Sequence, residues 1–249
     1  MENYLYKVPE RKYCIFCETF FFEFNAWNGN EGTEFVRKFD LIGTDARYFQ
    51  CPVCGSTDRE RHLYLFLRET GELEKFQNKT ILLIAPEINL LKKIYKPNIQ
   101  FICGDLHPEK YFNYNINPFY KIDLTKIPFD NDTFDYVIAN HVLEHIKDYT
   151  KAIAEVNRVL KNNGTAILQT PFSPLIYENF EDVLIDNDQL RIKFYGQEDH
   201  QRIFGLRLFD DIEQAGFKLE TFNHYEVLAD YEPSIYGLNF KENLILARK

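Results

Sequence analysis

Four cysteines stand in two C-x-x-C pairs, Cys14-Ile15-Phe16-Cys17 and Cys51-Pro52-Val53-Cys54. Each pair can fold as a knuckle that turns two thiolates toward one point, and two knuckles complete a tetrahedron around one ion. Four thiolates leave no position for water, so the expected metal is a structural zinc holding a segment too small to fold on its own core. The 33-residue gap between the pairs exceeds the usual ribbon spacing, and the competing reading is a set of unpaired core thiols. Cys103 lies alone in an apolar run and reads as a small buried hydrophobe. A second cluster, Tyr195-Gly196-Gln197-Glu198-Asp199-His200-Gln201-Arg202-Ile203-Phe204-Gly205, sets a base, an acid and a cation between glycines. A histidine titrating near neutrality suits proton transfer. His200 is therefore the candidate general base, Asp199 the group that orients it, and Arg202 the cation that holds an anionic substrate group or the loop itself. The plainer alternative is a lid held by ordinary salt bridges. His141-Val142-Leu143-Glu144-His145 spells H-x-x-E-H, a pattern of certain zinc peptidases. That pattern needs one long helix and a third ligand, whereas here it follows directly on a buried strand, so the peptidase reading is rejected. His145 reads more plainly as a capping or packing residue at a helix start.

These groups need a scaffold. From Thr80 onward short apolar runs alternate with helical patterns, which predicts a parallel sheet covered by helices on both faces. Strands are expected at Ile81–Ala85, Ile99–Cys103, Phe134–Ala139 and Thr165–Gln169, with a short one near Phe119–Ile122. The helix between the later strands follows Tyr149, Ala152, Ile153, Val156, Val159 and Leu160, with Asp148 as its cap and Gly164 after its end. The chain closes with a helix near Leu206–Ala215, Gly216 as its stop, and strands at Phe217–His224 and Glu242–Ala247. Three parts are expected: a metal-binding segment over 1–58, a bridging helix within 59–79 that ends at Gly71, and an α/β domain over 80–249. Residues 171–205 break the alternation and read as an insertion over an active site.

Ligands of open parallel sheets bind at the carboxyl ends of the strands. There the sequence offers Ala85-Pro86-Glu87, Gly104-Asp105, Asp123-Leu124 and Asn140-His141. Asp105 lies 20 residues beyond Ala85, the distance at which nucleotide-binding folds set a carboxylate against ribose hydroxyls; the alternative is a solvated turn aspartate. Asp123 with Leu124 offers an acceptor and an apolar wall to a base, or is a plain strand end. Ile84 to Leu90 contains no glycine, which argues against the pyrophosphate of a dinucleotide.

The runs F-D-Y-V-I-A-N-H-V-L-E-H-I, E-V-N-R-V-L-K-N-N-G-T-A-I-L-Q-T-P and I-D-L-T-K-I-P-F-D-N-D-T-F-D closely resemble class I methyltransferases, over roughly Thr80 to Ala247. The resemblance implies a Rossmann-like, seven-stranded, mostly parallel sheet with a terminal antiparallel hairpin, and S-adenosylmethionine as methyl donor. It places the cofactor contacts on Ala85, Pro86, Glu87, Asp105, Leu106, Asp123, Leu124, Asn140 and His141. S-adenosylmethionine carries no phosphate, and Glu87 can pair with its ammonium group. The usual E/D-x-G-x-G-x-G loop is here L-L-I-A-P-E-I; a subfamily with A-P-E in this loop, a C-P-V-C-G-S-x-x-R-E-R leader and a G-Q-x-D-H-x-R-x-x-G stretch is similar to this sequence.

A chain of 249 residues that is 45% hydrophobic can bury a sizeable core. Its 29 Lys and Arg against 38 Asp and Glu give a net charge of -9, and the basic residues do not cluster, so nucleic acid is a disfavoured partner. No run approaches the ~20 apolar residues of a membrane span and no leader pattern opens the chain, which reads as soluble and cytoplasmic. Nothing in the sequence sets an oligomeric state. The functions left open are, in order, a small-molecule or glycan methyltransferase, a macromolecule-modifying methyltransferase, and a zinc-containing binding module with a decayed pocket.

Overall fold

The computed structural model describes residues 11–27 and 33–249, so positions 1–10 and 28–32 of the expected metal-binding segment lie outside the described residues. A short antiparallel hairpin comes first, β1 (Lys12–Cys14) and β2 (Thr19–Phe21). After the second cysteine pair, Thr57 caps helix α1 (Asp58–Glu69) through a capping box in which Glu60 returns a bond to the cap backbone. The helix ends just before Gly71, which takes φ +71 as the sequence predicts.

The strands that follow are β3 (Thr80–Ile84), β4 (Gln100–Asp105), β5 (Phe119–Lys121), β6 (Phe134–Ala139), β7 (Leu160–Ile167), β8 (Lys218–Phe222) and β9 (Leu244–Arg248). They form one sheet in the order β5-β4-β3-β6-β7-β9-β8. All neighbouring pairs are parallel except those of β9, which runs antiparallel to β7 and β8. The sheet is therefore seven-stranded and mostly parallel with a terminal antiparallel hairpin. The central strands are unbroken apolar runs because both faces are covered. On one face, Leu82, Val137 and Ala166 meet α3 (Tyr149–Val159) and α5 (Arg207–Gln214). On the other, Ile81, Leu83 and Ile138 meet α1 and α2 (Ile88–Ile94). Order reverses between β3 and β6, so their carboxyl ends flank a crevice.

Asp148 caps α3 by accepting from the Lys151 amide at 3.1 Å, as expected. Gly164 follows the helix end as expected, but lies inside β7 and not at the cap. The helix passes into β7 at Leu160 without a turn, and the pairing jumps from Phe134↔Leu160 to Tyr136↔Thr165. The extra residues form a bulge in which Asn163 takes φ +64, and a side chain at Gly164 would stand 2.8 Å from the Lys161 carbonyl. Turn-type residues here serve a strand irregularity.

The N-terminal segment is held to the sheet domain by one fully buried cation, Arg61. Its guanidinium donates to the carbonyls of Ser56, Tyr48 (2.6 Å) and Gly237 (2.9 Å), its Nε lies 3.2 Å from the Tyr236 carbonyl, and the group stacks on the Phe24 ring at 4.3 Å. Gly237 has φ +63, and a side chain there would come within 2.6 Å of Phe24 and 2.7 Å of Arg61. Replacing Arg61 with Met leaves these carbonyls without a donor and should lower unfolding free energy by about 3 kcal/mol or more. Arg61→Lys should recover little of it, because an ammonium cannot span the same acceptors; denaturant titration of both variants measures the difference.

Candidate active site

The sulfurs of Cys14 and Cys54 lie 3.7 Å apart, those of Cys17 and Cys51 3.8 Å apart, and all four ligand atoms fall within 4.8 Å of one another. A disulfide needs about 2.05 Å. A tetrahedron of thiolates at about 2.3 Å from zinc puts its sulfurs about 3.8 Å apart, so this spacing fits an ion. Ser56 Oγ stands 3.4 Å from Cys14 Sγ and 3.3 Å from Cys54 Sγ, and the Val53 amide donates to Cys51 Sγ at 3.4 Å. Cys103 is buried in β4, and burial pushes its thiol up to about 12.

At the carboxyl edge, the loop after β3 turns without glycine. Ala85 itself takes φ +47 while its amide donates to the Gly104 carbonyl at 2.8 Å. Glu87 is held on both oxygens: Oε1 is 3.0 Å from Arg59 Nε, and Oε2 accepts from Asn140 Nδ2 at 2.6 Å. Glu60, next to Arg59 on α1, accepts from the amides of Asn89 and Leu90, both at 3.1 Å, and so fixes the start of α2. Asp105 ends β4; its carboxylate takes the His107 amide at 2.7 Å and the Tyr111 hydroxyl at 3.3 Å, beside a half-exposed Leu106. Asp123 is exposed and accepts from the Thr125 amide and hydroxyl, both at 2.8 Å. Leu124 packs into the core beneath it, away from any open wall.

Beside this edge lies a cavity of about 440 Å³ lined by Trp27, Phe49, Arg59, Glu144, His145 and His200 among others. His141 follows β6 at φ +53, and its ring joins Glu144 (Nδ1 to Oε1, 3.6 Å) and Glu242 (Nε2 to Oε1, 3.4 Å). Burial and Arg59 press the His141 imidazole toward neutrality, but the two carboxylates outweigh them and raise it to about 9. Burial likewise opposes ionisation of Glu242, yet His141 and His62 hold it down to about 2. His145 belongs to a 3-10 turn, Leu143–His145, and has Asp199 Oδ2 3.1 Å from its Nδ1. Burial lowers His145, but Asp199 and Glu144 more than compensate and raise it. His200 is lowered by its burial, and its Nδ1 lies 3.2 Å from the Tyr195 carbonyl.

The insertion reaches the cavity through α4 (Asp188–Tyr195) and the loop after it. Arg202 locks that loop: it pairs with Glu181 at 2.6 Å, donates to the carbonyls of Ile146 (2.5 Å) and Lys147 (2.6 Å), and stacks over Tyr149. Of its two expected roles it fills that of holding the loop. Asp199 stands against His145, and the group on His200 Nδ1 is a backbone carbonyl, so the expected Asp199–His200 pair is replaced by Asp199–His145. His141 and His145 do not share a helix, in keeping with rejection of the peptidase pattern. Sequence reasoning missed Arg59, Glu144 and Glu242. Arg59 was visible in the R-E-R leader, but its partner Glu87 lies on another element.

Residues 89–168 match the methyltransferase domain family. Over that stretch, about a third of the chain, the sequence is similar to the methyltransferase domain family. An uncharacterised protein of Methanocaldococcus jannaschii is 38% identical over 119 residues, which is 47% of this chain and 43% of that one. Demethylmenaquinone methyltransferase of Staphylococcus carnosus is 43% identical over 54 residues, 22% of each chain. These matches span less than half the length of the curated relatives. In fold, the chain is similar to crystal structures of S-adenosylmethionine-dependent methyltransferases. One is from Mesorhizobium loti (TM-score 0.51, 14% identity, 73% of this chain and 96% of that one). Another is from Archaeoglobus fulgidus (TM-score 0.50, 15% identity, 78% and 95%).

The Arg59–Glu87 pair joins the cysteine-bearing leader to the loop after β3 of the sheet domain. A double-mutant cycle with Arg59→Met and Glu87→Gln, read by chemical denaturation, should show a coupling of about 1 kcal/mol or more. An additive double variant shows that the pair contributes nothing.

Proposed function

We propose that this chain transfers a methyl group from S-adenosylmethionine to an oxygen of a small hydroxylated acceptor, a sugar or related metabolite, and that Cys14, Cys17, Cys51 and Cys54 hold a structural zinc. One observation carries the reading: a cavity bearing histidines and a carboxylate opens beside the carboxyl edge of the sheet, next to the residues suited to hold the donor. Asp105 retains lone pairs for ribose hydroxyls, Leu106 and Asp123 flank it, and Ala85 and Pro86 supply the loop backbone. Glu87 and Asn140, preset against Arg59, suit the amino-acid end, and Leu124 supports this floor from the core. The bound donor supplies a methyl carbon on a positively charged sulfur. The chain has to align the acceptor and take its proton.

His200 fits that task. The Tyr195 carbonyl favours a proton on Nδ1, and burial keeps the ring neutral, so Nε2 is free to accept. Trp27 and Phe49, with rings 4.5 Å apart edge to face, give a rigid apolar wall of the kind a sugar ring packs on. Among the described residues no helix is long and apolar enough to cross a membrane.

Calorimetry should show binding of S-adenosylmethionine and of its demethylated product, weakened about tenfold or more by Asp105→Ala, the loss of roughly one charge-assisted hydrogen bond. With an acceptor found by a methyl-release assay across sugars and small acids, His200→Ala should lower kcat by about 10²-fold or more while donor affinity holds. Equal turnover removes His200 from the chemistry, and absence of donor binding removes the enzymatic reading. Zinc should remain on the purified protein through dialysis and be lost, with the fold of the leader, in a Cys14→Ser/Cys17→Ser variant.

A further inference from the structure

We infer that Glu144, His145 and His200 form a second metal centre, a three-ligand site for a first-row divalent cation whose open position faces the cavity. One oxygen or nitrogen from each residue lies within 4.8 Å of the others, and Glu144 Oε1 is 3.9 Å from His145 Nε2. Bonds of about 2.1 Å to one ion put ligand atoms about 3 to 3.5 Å apart, so closing the site takes roughly 1 Å of side-chain adjustment.

Three further observations point the same way. Each imidazole has an oxygen behind it. Tyr195 O is in hydrogen-bond reach of His200 Nδ1, and Asp199 Oδ2 lies 3.1 Å from His145 Nδ1 as a close charge contact without hydrogen-bond alignment, so Nε2 of each is the atom left to ligate. Ligating histidines are ordinarily set by a carbonyl or a carboxylate in this way. Glu144 is 2% exposed, and its Oε2 has no hydrogen-bond partner. A buried anionic oxygen without a donor is costly, and a cation at this point removes the cost. All three residues line the cavity, so a fourth position is left for an oxygen of water or acceptor. Two imidazoles and one carboxylate with an open position suit Zn²⁺, Mn²⁺, Fe²⁺ or Co²⁺, in contrast to the closed thiolate set.

The binding claim stands on these residues alone; its use rests on the reading of the cavity as the acceptor site. With the ion bound, a hydroxyl at the open position would become more acidic and would give its proton to water, its electron pair remaining on oxygen, and His200, the proton acceptor of the metal-free site, would serve as a ligand. The competing account without a metal is a protonated His145 held between Glu144 and Asp199.

The test counts metal on the full chain. Protein stripped with chelator and reloaded with Co²⁺ should bind two equivalents by mass spectrometry. One should show sulfur-to-cobalt charge-transfer absorption, and the other only the weaker bands of nitrogen and oxygen ligands. Glu144→Gln and His200→Gln should each weaken the second equivalent about 100-fold or more and leave the thiolate band unchanged. The unchanged band also reports that the variants fold. A single equivalent with only the thiolate spectrum in the wild-type protein overturns the inference, whatever the variants do. Cobalt in the cavity site of a protein that transfers no methyl group would leave the metal centre standing and remove the proposed function; active transferase with one thiolate-bound ion would do the reverse.

Discussion

A guanidinium stripped of water has to find acceptors for its hydrogens, and Arg61 finds them on backbone that belongs to distant parts of the chain. Its acceptors are carbonyls, so the charge is met by dipoles rather than by a hydrogen-bonded carboxylate. That makes the arrangement geometric: the knuckle at Ser56, the turn at Tyr48 and the loop at Gly237 must all be in place together. The two preceding residues extend the same logic outward, Glu60 to the first amides of α2 and Arg59 to Glu87. Three consecutive charged side chains at one helix start thereby couple the cysteine segment, the entry loop and the C-terminal region. A metal held at the cysteines stabilises this whole junction as well as its own short hairpin.

The cavity depends on that junction. Arg59 lines it, as do Trp27 and Phe49 from between the cysteine pairs. At and behind its lining, carboxylates alternate with Arg and His side chains: Arg59 beside Glu87, Glu144 between His141 and His145, and Glu242 beside His141. The inner members of this series, Glu144, His141 and Glu242, are too buried for water to replace a lost partner, so each depends on the others. This constrains His141 to a supporting position. Both of its ring nitrogens face carboxylates, whereas His200 keeps one nitrogen toward open space.

Much of the scaffold is legible in the sequence. Phe134–Ala139 reads as a buried strand because a parallel sheet covered on both faces demands an unbroken apolar run, and α3 reads as a helix because its apolar residues recur on one face. The cysteines were legible through spacing alone, since a two-residue knuckle is a local structure. What escaped was non-local. Glu87 and Arg59 are 28 positions apart, and nothing in either neighbourhood names the other. Asp199 and His200 are adjacent in sequence, yet at a turn neighbouring side chains point apart, and the acid lies against His145 instead. How the entry loop turns without glycine is likewise not written in its sequence. The turn requires a left-handed residue, and Ala85 accepts that conformation at a cost of roughly 1 kcal/mol where glycine pays none.

The insertion does not hang free. It is bridged to the segment ahead of the second cysteine pair, Ile42 to Phe172, and Ser173 donates to the Phe39 carbonyl at 2.5 Å. These two stretches, 130 positions apart between Ile42 and Phe172, therefore form one wall, while the candidate donor residues sit on the strands between them. On the proposed reading, the surface that selects a guest is drawn from these two stretches together with Arg59 and the turn after β6, and the surface that holds the reagent from the other strand ends. Paired changes in the two stretches can therefore alter the first and leave the second untouched.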